Sequence, residues 1–287
     1  MIYERRASPL HAARATASGA WCVALAVAAL AFHHPLVLGA LLFAVLAGAR
    51  GAGVGRDVAR ILRYAVPFAL FIALINPFVS RNGLTVVARL GEIPPFGEVD
   101  LTLEALVYGA MFGLRLLVVV LAFAVATYAV DPDEVLRLFR RVSFRSALTA
   151  ALAVRLVPVL HADARRLAEA RRCRAGGDAS RLAILRAVAA GALDRATDVA
   201  ATLEVRGYAT AAPSRAAGRP WSRHDVWFLA SAGAVLALVV AATVLGVADF
   251  QAFPALVVPA GAVELAFCGA LVLVALLPFA DRRGIAP

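Results

Sequence analysis

Two arginine-containing segments are the residues of this chain best suited to bind another protein. Their sequences are Cys173-Arg174-Ala175 and Glu204-Val205-Arg206-Gly207-Tyr208. A guanidinium group is planar and permanently charged, so it can form paired bonds to carboxylates or to helix-end carbonyls. An arginine followed by glycine is also an ordinary helix end, because the cation meets the negative end of the helix dipole and glycine accepts a left-handed backbone. Taken singly, each segment fits either interpretation.

A third candidate, Arg115, lies inside an apolar run that covers residues 105–130. A charge there costs roughly 3 kcal/mol unless it is paired or reaches water. We therefore expect Arg115 to bond backbone carbonyls or a neighbouring helix rather than a substrate. Gly109 and Gly113 precede it with a spacing that permits close helix approach. That spacing is equally compatible with internal packing and with contact to a partner subunit.

The other residue types argue against chemistry carried out by this chain. All 29 basic residues are arginine, so there is no lysine for a phosphate-binding loop or a Schiff base. His33 and His34 have no carboxylate or thiolate nearby in the sequence, which makes a metal site improbable. Cys22, Cys173 and Cys268 fit neither a disulfide framework nor a metal-binding pair. We expect no metal and no cofactor, and any ATP must be bound by another subunit.

The composition places most of the chain in a lipid bilayer. Hydrophobic residues make up 62% and charged residues 17%, and the mean hydropathy is +0.81, which is too apolar for an ordinary soluble domain. A spanning helix needs about 20 apolar residues. Six segments approach that length: 19–32, 36–47, 64–79, 105–130, 226–247 and 262–280. The first two are short enough to be shallow spans or a tight hairpin, and no signal peptide is expected. The predicted class is an all-α polytopic membrane protein with about six transmembrane helices.

The arginines also predict the orientation, because they gather in cytoplasmic loops. Four of them lie between residues 50 and 63, and segment 131–223 carries 17 arginines against 9 acidic residues. The loop 80–104 mixes both signs and is predicted to be external. The net charge of +10 therefore indicates topology and not nucleic-acid binding. We predict a transmembrane part at 1–130, a cytoplasmic part at 131–223 and a second transmembrane part at 224–287. Both termini are predicted to be cytoplasmic, in the inner (cytoplasmic) cell membrane.

The cytoplasmic segment is predicted to hold two long helices, at about 147–174 and 181–206. The second has an amphipathic pattern. Its predicted apolar face consists of Leu182, Leu185, Ala189, Ala192, Ala196, Val199 and Leu203. At about 1.5 Å per residue this helix is about 39 Å long. Both helices end at one of the arginine segments.

Together, the two arginine-ended helices resemble the coupling helices of the transmembrane T component of energy-coupling-factor (ECF) importers, the family of the cobalt transporter subunit CbiQ. That family carries a duplicated Ala-Arg-Gly motif. The resemblance covers about residues 5 to 210 and is most specific from Ala192 to Tyr208. Supporting matches are Ser8-Pro9-Leu10-His11-Ala12, Leu103 to Leu117, Asp131-Pro132-Asp133-Glu134 and Arg155-Leu156-Val157-Pro158. The first motif departs from the pattern because its glycine is delayed to Gly176, and the second has Val205 in place of alanine.

The resemblance implies a non-catalytic transport subunit. Arg174 and Arg206 would each dock in a groove of one of two ABC-type ATPase subunits, which bind the ATP. The residues beside them would share this contact: Cys173, Ala175, Glu204, Val205, Gly207 and Tyr208. The helices would pass ATP-driven motion to a small membrane-embedded S component that binds a vitamin or a transition-metal ion. The sequence does not identify that substrate.

Two other functions remain open. A membrane enzyme acting on a lipid-linked substrate would need clustered carboxylates to hold magnesium, and the compact acidic group at 131–134 fits a helix start better. A self-contained transporter would need paired polar groups in broken helices near the midplane, and only Arg115 and Asn76-Pro77 approach that. Neither alternative accounts for the two arginine-ended helices.

Overall fold

The computed structural model describes most of the chain and divides it into two compact units. The described residues are 4, 6–79, 86–93, 97–139, 144–173, 181–207, 220–247, 261–281 and 283. The first unit comprises residues 1–132 and 221–287, and the second comprises residues 133–220. The unit boundaries therefore bring the two ends of the chain into one body.

The elements are helices with one short hairpin of strands. In chain order they are α1 (Pro9–Ala12), α2 (Ala15–Ala31), α3 (Pro35–Gly51), α4 (Gly55–Val79), β1 (Val86–Ile93), β2 (Gly97–Thr102), α5 (Leu103–Ala129), α6 (Pro132–Phe139), α7 (Phe144–Arg172), α8 (Arg181–Val205), α9 (Arg223–Leu245) and α10 (Ala262–Leu276), which continues into a 3-10 turn at Leu277–Phe279. Within the described residues, four helices are long and apolar enough to cross a membrane, namely α4, α5, α9 and α10 with its turn. The apolar helices α2 and α3 are shorter, at 17 residues each. The predicted all-α polytopic class is confirmed.

The predicted external loop at 80–104 contains secondary structure that the sequence analysis did not anticipate. Strands β1 and β2 pair antiparallel, with Val86 opposite Thr102 and Ile93 opposite Gly97. Mixed charges concealed the strands because they interrupt any alternation of apolar and polar residues. The second difference is at α4, which begins at Gly55 and so includes arginines that we assigned to the preceding loop.

Short polar residues and proline fix where the helices of the first unit begin. Pro35 occupies the first turn of α3, and the side chain of His34 accepts a hydrogen bond from Leu36 N. Helix α9 begins with a capping box, in which the side chains of Ser222 and Asp225 each accept a hydrogen bond from the other residue's backbone N–H. Between α3 and α4 the chain turns at Gly53, whose φ of +74° favours glycine.

Helix α2 occupies the centre of the first unit, where it packs against both α5 and α9. Its Trp21 is 1% exposed and lies between two aromatic rings. The ring centroids of Phe228 and Phe279 are 6.0 Å and 5.4 Å from that of Trp21, in edge-to-face geometry. The indole N–H also donates to the carbonyl of Ala275 at 3.0 Å. This cluster joins α9 and α10 to the N-terminal helices.

Ionic contacts strengthen the same association where α2 and α9 begin. Asp225 is fully buried and accepts a hydrogen bond of 2.6 Å from Arg14 N. The Arg14 guanidinium is 3.5 Å from the same carboxylate and 4.9 Å from the ring centroid of Trp221. Before α1, Arg6 bonds to Asp57, in the first turn of α4, at 2.7 Å. The N-terminal segment is thus held by charges from two different helices.

The second unit is built from α7 and α8, with most of α6. Helix α7 contains Pro158 and runs for 29 residues, and α8 runs for 25. No residue of α8 is fully buried in this chain. The two helices contact each other, and both are close to the ranges expected from the sequence.

We predict that Trp21→Ala lowers the free energy of unfolding by about 3 kcal/mol, because it empties the aromatic cluster and removes a buried hydrogen bond. The measurement is unfolding in detergent followed by far-ultraviolet circular dichroism. The matched control is Trp227→Ala, since Trp227 is 44% exposed on α9. Equal losses in the two variants would contradict the central role of the cluster.

Candidate functional site

Arg115 projects from the middle of α5 and bonds the end of α2. Its Nε donates to the carbonyl of Ala29 at 3.1 Å, and its Nη2 donates to the carbonyl of Phe32 at 2.7 Å. The last carbonyls of a helix have no partner within the helix, and a cation also suits the negative end of the helix dipole. The ring of Phe112 lies 5.5 Å from the guanidinium carbon. The expectation that Arg115 bonds carbonyls of a neighbouring helix is confirmed.

The two glycines before Arg115 let α5 approach α4 closely. A Cβ added at Gly113 would lie 2.6 Å from the carbonyl oxygen of Ala69, and one at Gly109 would lie 2.7 Å from that of Ala73. Both obstacles are backbone atoms, so they cannot swing aside. Asn76 on α4 also donates a hydrogen bond of 3.0 Å to Ala105 O. The glycine spacing therefore serves internal packing between these helices.

The end of α8 has the geometry that its sequence predicts. Arg206 N donates to Thr202 O at 3.2 Å, and Gly207 N donates to Glu204 O at 2.8 Å. Gly207 has a φ of +67°, which confirms the expected left-handed cap. Arg206 is exposed, and no ion pair to it is present among the residues that the structure describes. Its neighbour Val205 is 89% exposed.

The first arginine segment is only partly described. Helix α7 ends at Arg172. Cys173 follows with an exposed free thiol, and its backbone N–H donates to Glu169 O at 3.2 Å. Arg174 and Ala175 lie outside the described residues, as does Tyr208 of the second segment. The docking role assigned to these segments stays a prediction.

Helices α7 and α8 each carry a stripe of half-buried residues, and an ion pair joins the two stripes. On α7 the stripe is Leu156, Leu160, Asp163 and Leu167, and on α8 it is Val188, Ala192, Arg195 and Val199. Arg195 Nη2 donates to Asp163 Oδ2 at 3.0 Å. The apolar face predicted for α8 is thus divided, because Ala192 and Val199 are half-buried while Leu182 and Leu185 remain exposed.

Two of these polar contacts were missed by the sequence analysis. The Asp163–Arg195 pair had one signal, which is that Arg195 interrupts an otherwise apolar stripe of α8. For the Arg14–Asp225 contact, the sequence signal was the capping-box spacing of Ser222 and Asp225, which marks Asp225 as a residue at a helix start. Within the described ranges, no cluster of three or more His, Cys, Asp or Glu residues could hold a metal ion.

The apolar helices of the described residues define a multi-pass helical membrane protein. Residues 6–216 match the family model of CbiQ, described as a cobalt transport protein. A comparison with curated protein sequences gives no match. The chain belongs to the CbiQ family, and it is therefore a transport component. The match ends before α9, so the last two apolar helices lie beyond it.

We predict that Arg115→Gln lowers the free energy of unfolding by about 2 kcal/mol, because the carbonyls of Ala29 and Phe32 lose their charged donor. Unfolding in detergent micelles measures the effect. Arg63→Gln removes an exposed arginine of α4 and should change stability by less than about 0.5 kcal/mol. An Arg115 variant as stable as the Arg63 control would show that the end of α2 needs no donor.

We also predict that Gly113→Ala destabilises the α4–α5 pair by about 1 to 3 kcal/mol, since its Cβ would overlap the backbone of Ala69. Gly233→Ala is the control, because a Cβ at that position on α9 meets nothing within 4 Å. The control should unfold like the wild type or at a slightly higher denaturant concentration. If the Gly113 variant does the same, the close approach of α4 and α5 is not a constraint.

Proposed function

We propose that this chain is the transmembrane coupling (T) subunit of an ECF-type ABC importer. In this role it catalyses no reaction. It passes motion from two ATPase subunits to a small membrane-embedded S component, which binds the imported vitamin or transition-metal ion. The chain would lie in the cytoplasmic membrane with both termini and the second unit in the cytoplasm. ATP would be bound only by the partner ATPases.

The end of α8 carries this proposal. Arg206 is an exposed cation directly after a 25-residue helix, and left-handed Gly207 caps the helix after it. A guanidinium held in this way can enter a groove and form paired bonds with carboxylates or helix-end carbonyls. Exposed Val205 and Glu204 flank it and add apolar and acidic contacts. Arg174 holds the equivalent place in the sequence after α7.

The rest of the second unit suits the transmission of motion. Helices α7 and α8 are long and have little buried surface of their own, so much of their side-chain surface is available to partners. Leu185 and Leu193 of α8 and Val157 of α7 are exposed apolar residues. Exposed apolar area on a helix is typical of an interaction surface. We assign this area to the S component and the arginine ends to the ATPases.

The first unit would act as the fixed frame against which the coupling helices move. Its rigidity comes from Arg115 on the end of α2, from the close α4–α5 contact and from the aromatic cluster around Trp21. Arg115 is occupied by two backbone carbonyls, which leaves it poorly placed to bind a substrate. That occupation favours a coupling subunit over a self-contained transporter.

Arg174→Glu combined with Arg206→Glu should release the ATPases and reduce uptake to background. Each reversed charge is expected to cost about 2 to 5 kcal/mol of binding free energy, because an anion replaces a desolvated docking cation. The experiment purifies the tagged chain from its host in mild detergent, identifies the co-purifying subunits by mass spectrometry and measures uptake in cells. The variant should still reach the membrane in normal amount.

The matched control is Arg165→Glu combined with Arg186→Glu. It changes one exposed arginine on each of the same two helices but leaves their ends intact. Near-normal uptake is expected for this control. Wild-type uptake in the Arg174 and Arg206 variant, or a wild-type chain that recovers no ATPase, would overturn the proposed coupling role.

A further inference from the structure

The ion pair between α7 and α8 is partly buried and lies among mostly apolar residues. The Asp163 and Arg195 side chains are 28% and 40% exposed, and the other terminal nitrogen of Arg195, Nη1, is buried with no hydrogen-bond partner among the residues that the structure describes. The residues one turn away on each stripe are apolar, for example Leu160 on α7 and Val199 on α8. The stripe of α7 continues to Arg171, which is also half-buried, so the pair is the ionic link between two mostly apolar stripes.

The ion pair restrains the positions of the two helices differently from the apolar contacts around it. Apolar side chains tolerate small sliding movements, since any neighbour of similar shape will do. An ion pair favours one alignment, because sliding would separate Asp163 from Arg195, although partial exposure keeps its contribution modest. The pair therefore fixes where along its length each helix meets the other. It does not fix the angle between them, because a single contact permits rotation.

The ion pair has the same sequence separation from the arginine that follows each of the two helices. Arg174 follows Asp163 by eleven residues, and Arg206 follows Arg195 by eleven residues. Helix α7 continues from Asp163 to Arg172, and α8 continues from Arg195 to Val205. At about 1.5 Å per residue, the described helical arms beyond the pair are about 14 and about 15 Å long. In the sequence, the pair is the same number of residues from each docking arginine.

We propose that Asp163 and Arg195 form the pivot of the two coupling helices. This inference rests on the coupling function proposed above and deepens it. When the ATPases draw the two arginine ends together or apart, the pair holds the crossing point. The helices then rotate about it, and the opposite ends move against the substrate-binding partner. Without the pair the helices slide, and motion of the arginine ends is lost before it reaches that partner.

The test compares ATP hydrolysis with uptake in the complete complex, reconstituted in proteoliposomes with its own ATPases and substrate-binding subunit. Asp163→Asn keeps the shape of the side chain, Arg195→Gln keeps a shorter polar side chain, and each removes the charge. Uptake per ATP hydrolysed should fall about 5- to 100-fold, the usual range of coupling between sites, while ATP hydrolysis stays close to the wild-type rate. The charge-swapped variant, Asp163→Arg with Arg195→Asp, should recover most of the lost coupling.

Glu169→Gln and Arg186→Gln are the matched controls, because they neutralise one exposed charge on each of the same helices. Both should couple as the wild type does. Unchanged coupling in the Asp163 and Arg195 variants would overturn the pivot. So would a parallel loss of complex assembly, hydrolysis and uptake, since that pattern belongs to a contact needed only for folding. A wild-type complex that contains no ATPase would instead reject the proposed function itself.

A covalent link provides a second measurement. Cysteines placed at 163 and 195, in a chain with Cys173→Ser, can be joined by a short bifunctional thiol reagent, and the two remaining native thiols, Cys22 and Cys268, are buried. A pivot keeps its two sides at constant separation through the cycle, so the linked protein should keep the uptake of the unlinked double-cysteine protein or exceed it. Loss of uptake on linking would mean that the two residues separate during transport, which would overturn the pivot.

Discussion

The packing of the first unit depends on Arg115 of α5, which donates hydrogen bonds to backbone carbonyls at the end of α2. Helix α2 ends at Ala31, level with the middle of α5, and an apolar environment offers no water for its last carbonyls. Arg115 supplies the missing donors. Because α2 also contacts α9 and leads directly into α3, fixing its end affects where these two further helices pack. The charge that is costly in the middle of a span is thus what makes a short central helix possible.

Much of this arrangement could be predicted from the sequence, and the limits have physical causes. A mid-span arginine has few stable environments, so its bonding to carbonyls was predictable, whereas its partner helix was not. Gly109 and Gly113 likewise predicted a close approach without identifying α4. The β1–β2 hairpin was missed because its alternation is weak. The Asp163–Arg195 pair depends on where two helices meet, which no local pattern records.

The last two helices belong to the same core although the family match ends before them. Trp21 of α2 bonds the backbone of α10, and Arg14 bonds the buried carboxylate that begins α9. The N-terminal helices alone would leave these groups without partners. The family match thus ends just before the second unit does, yet the two helices that follow pack in the first unit. The second unit is an insertion, in sequence, between two parts of one packed body.

The shortness of α2 and α3 has a consequence for the surrounding lipid. Seventeen helical residues extend about 25 Å, whereas the hydrocarbon layer of a typical bilayer is about 30 Å thick. Val23, Val27 and Leu30 form an exposed flank on α2, so lipid meets this short segment directly. Local thinning of the bilayer is one way to match so short a segment, at a cost that rises with each ångström of mismatch. Acyl-chain length in the host membrane thereby acts on the stability of this side of the protein.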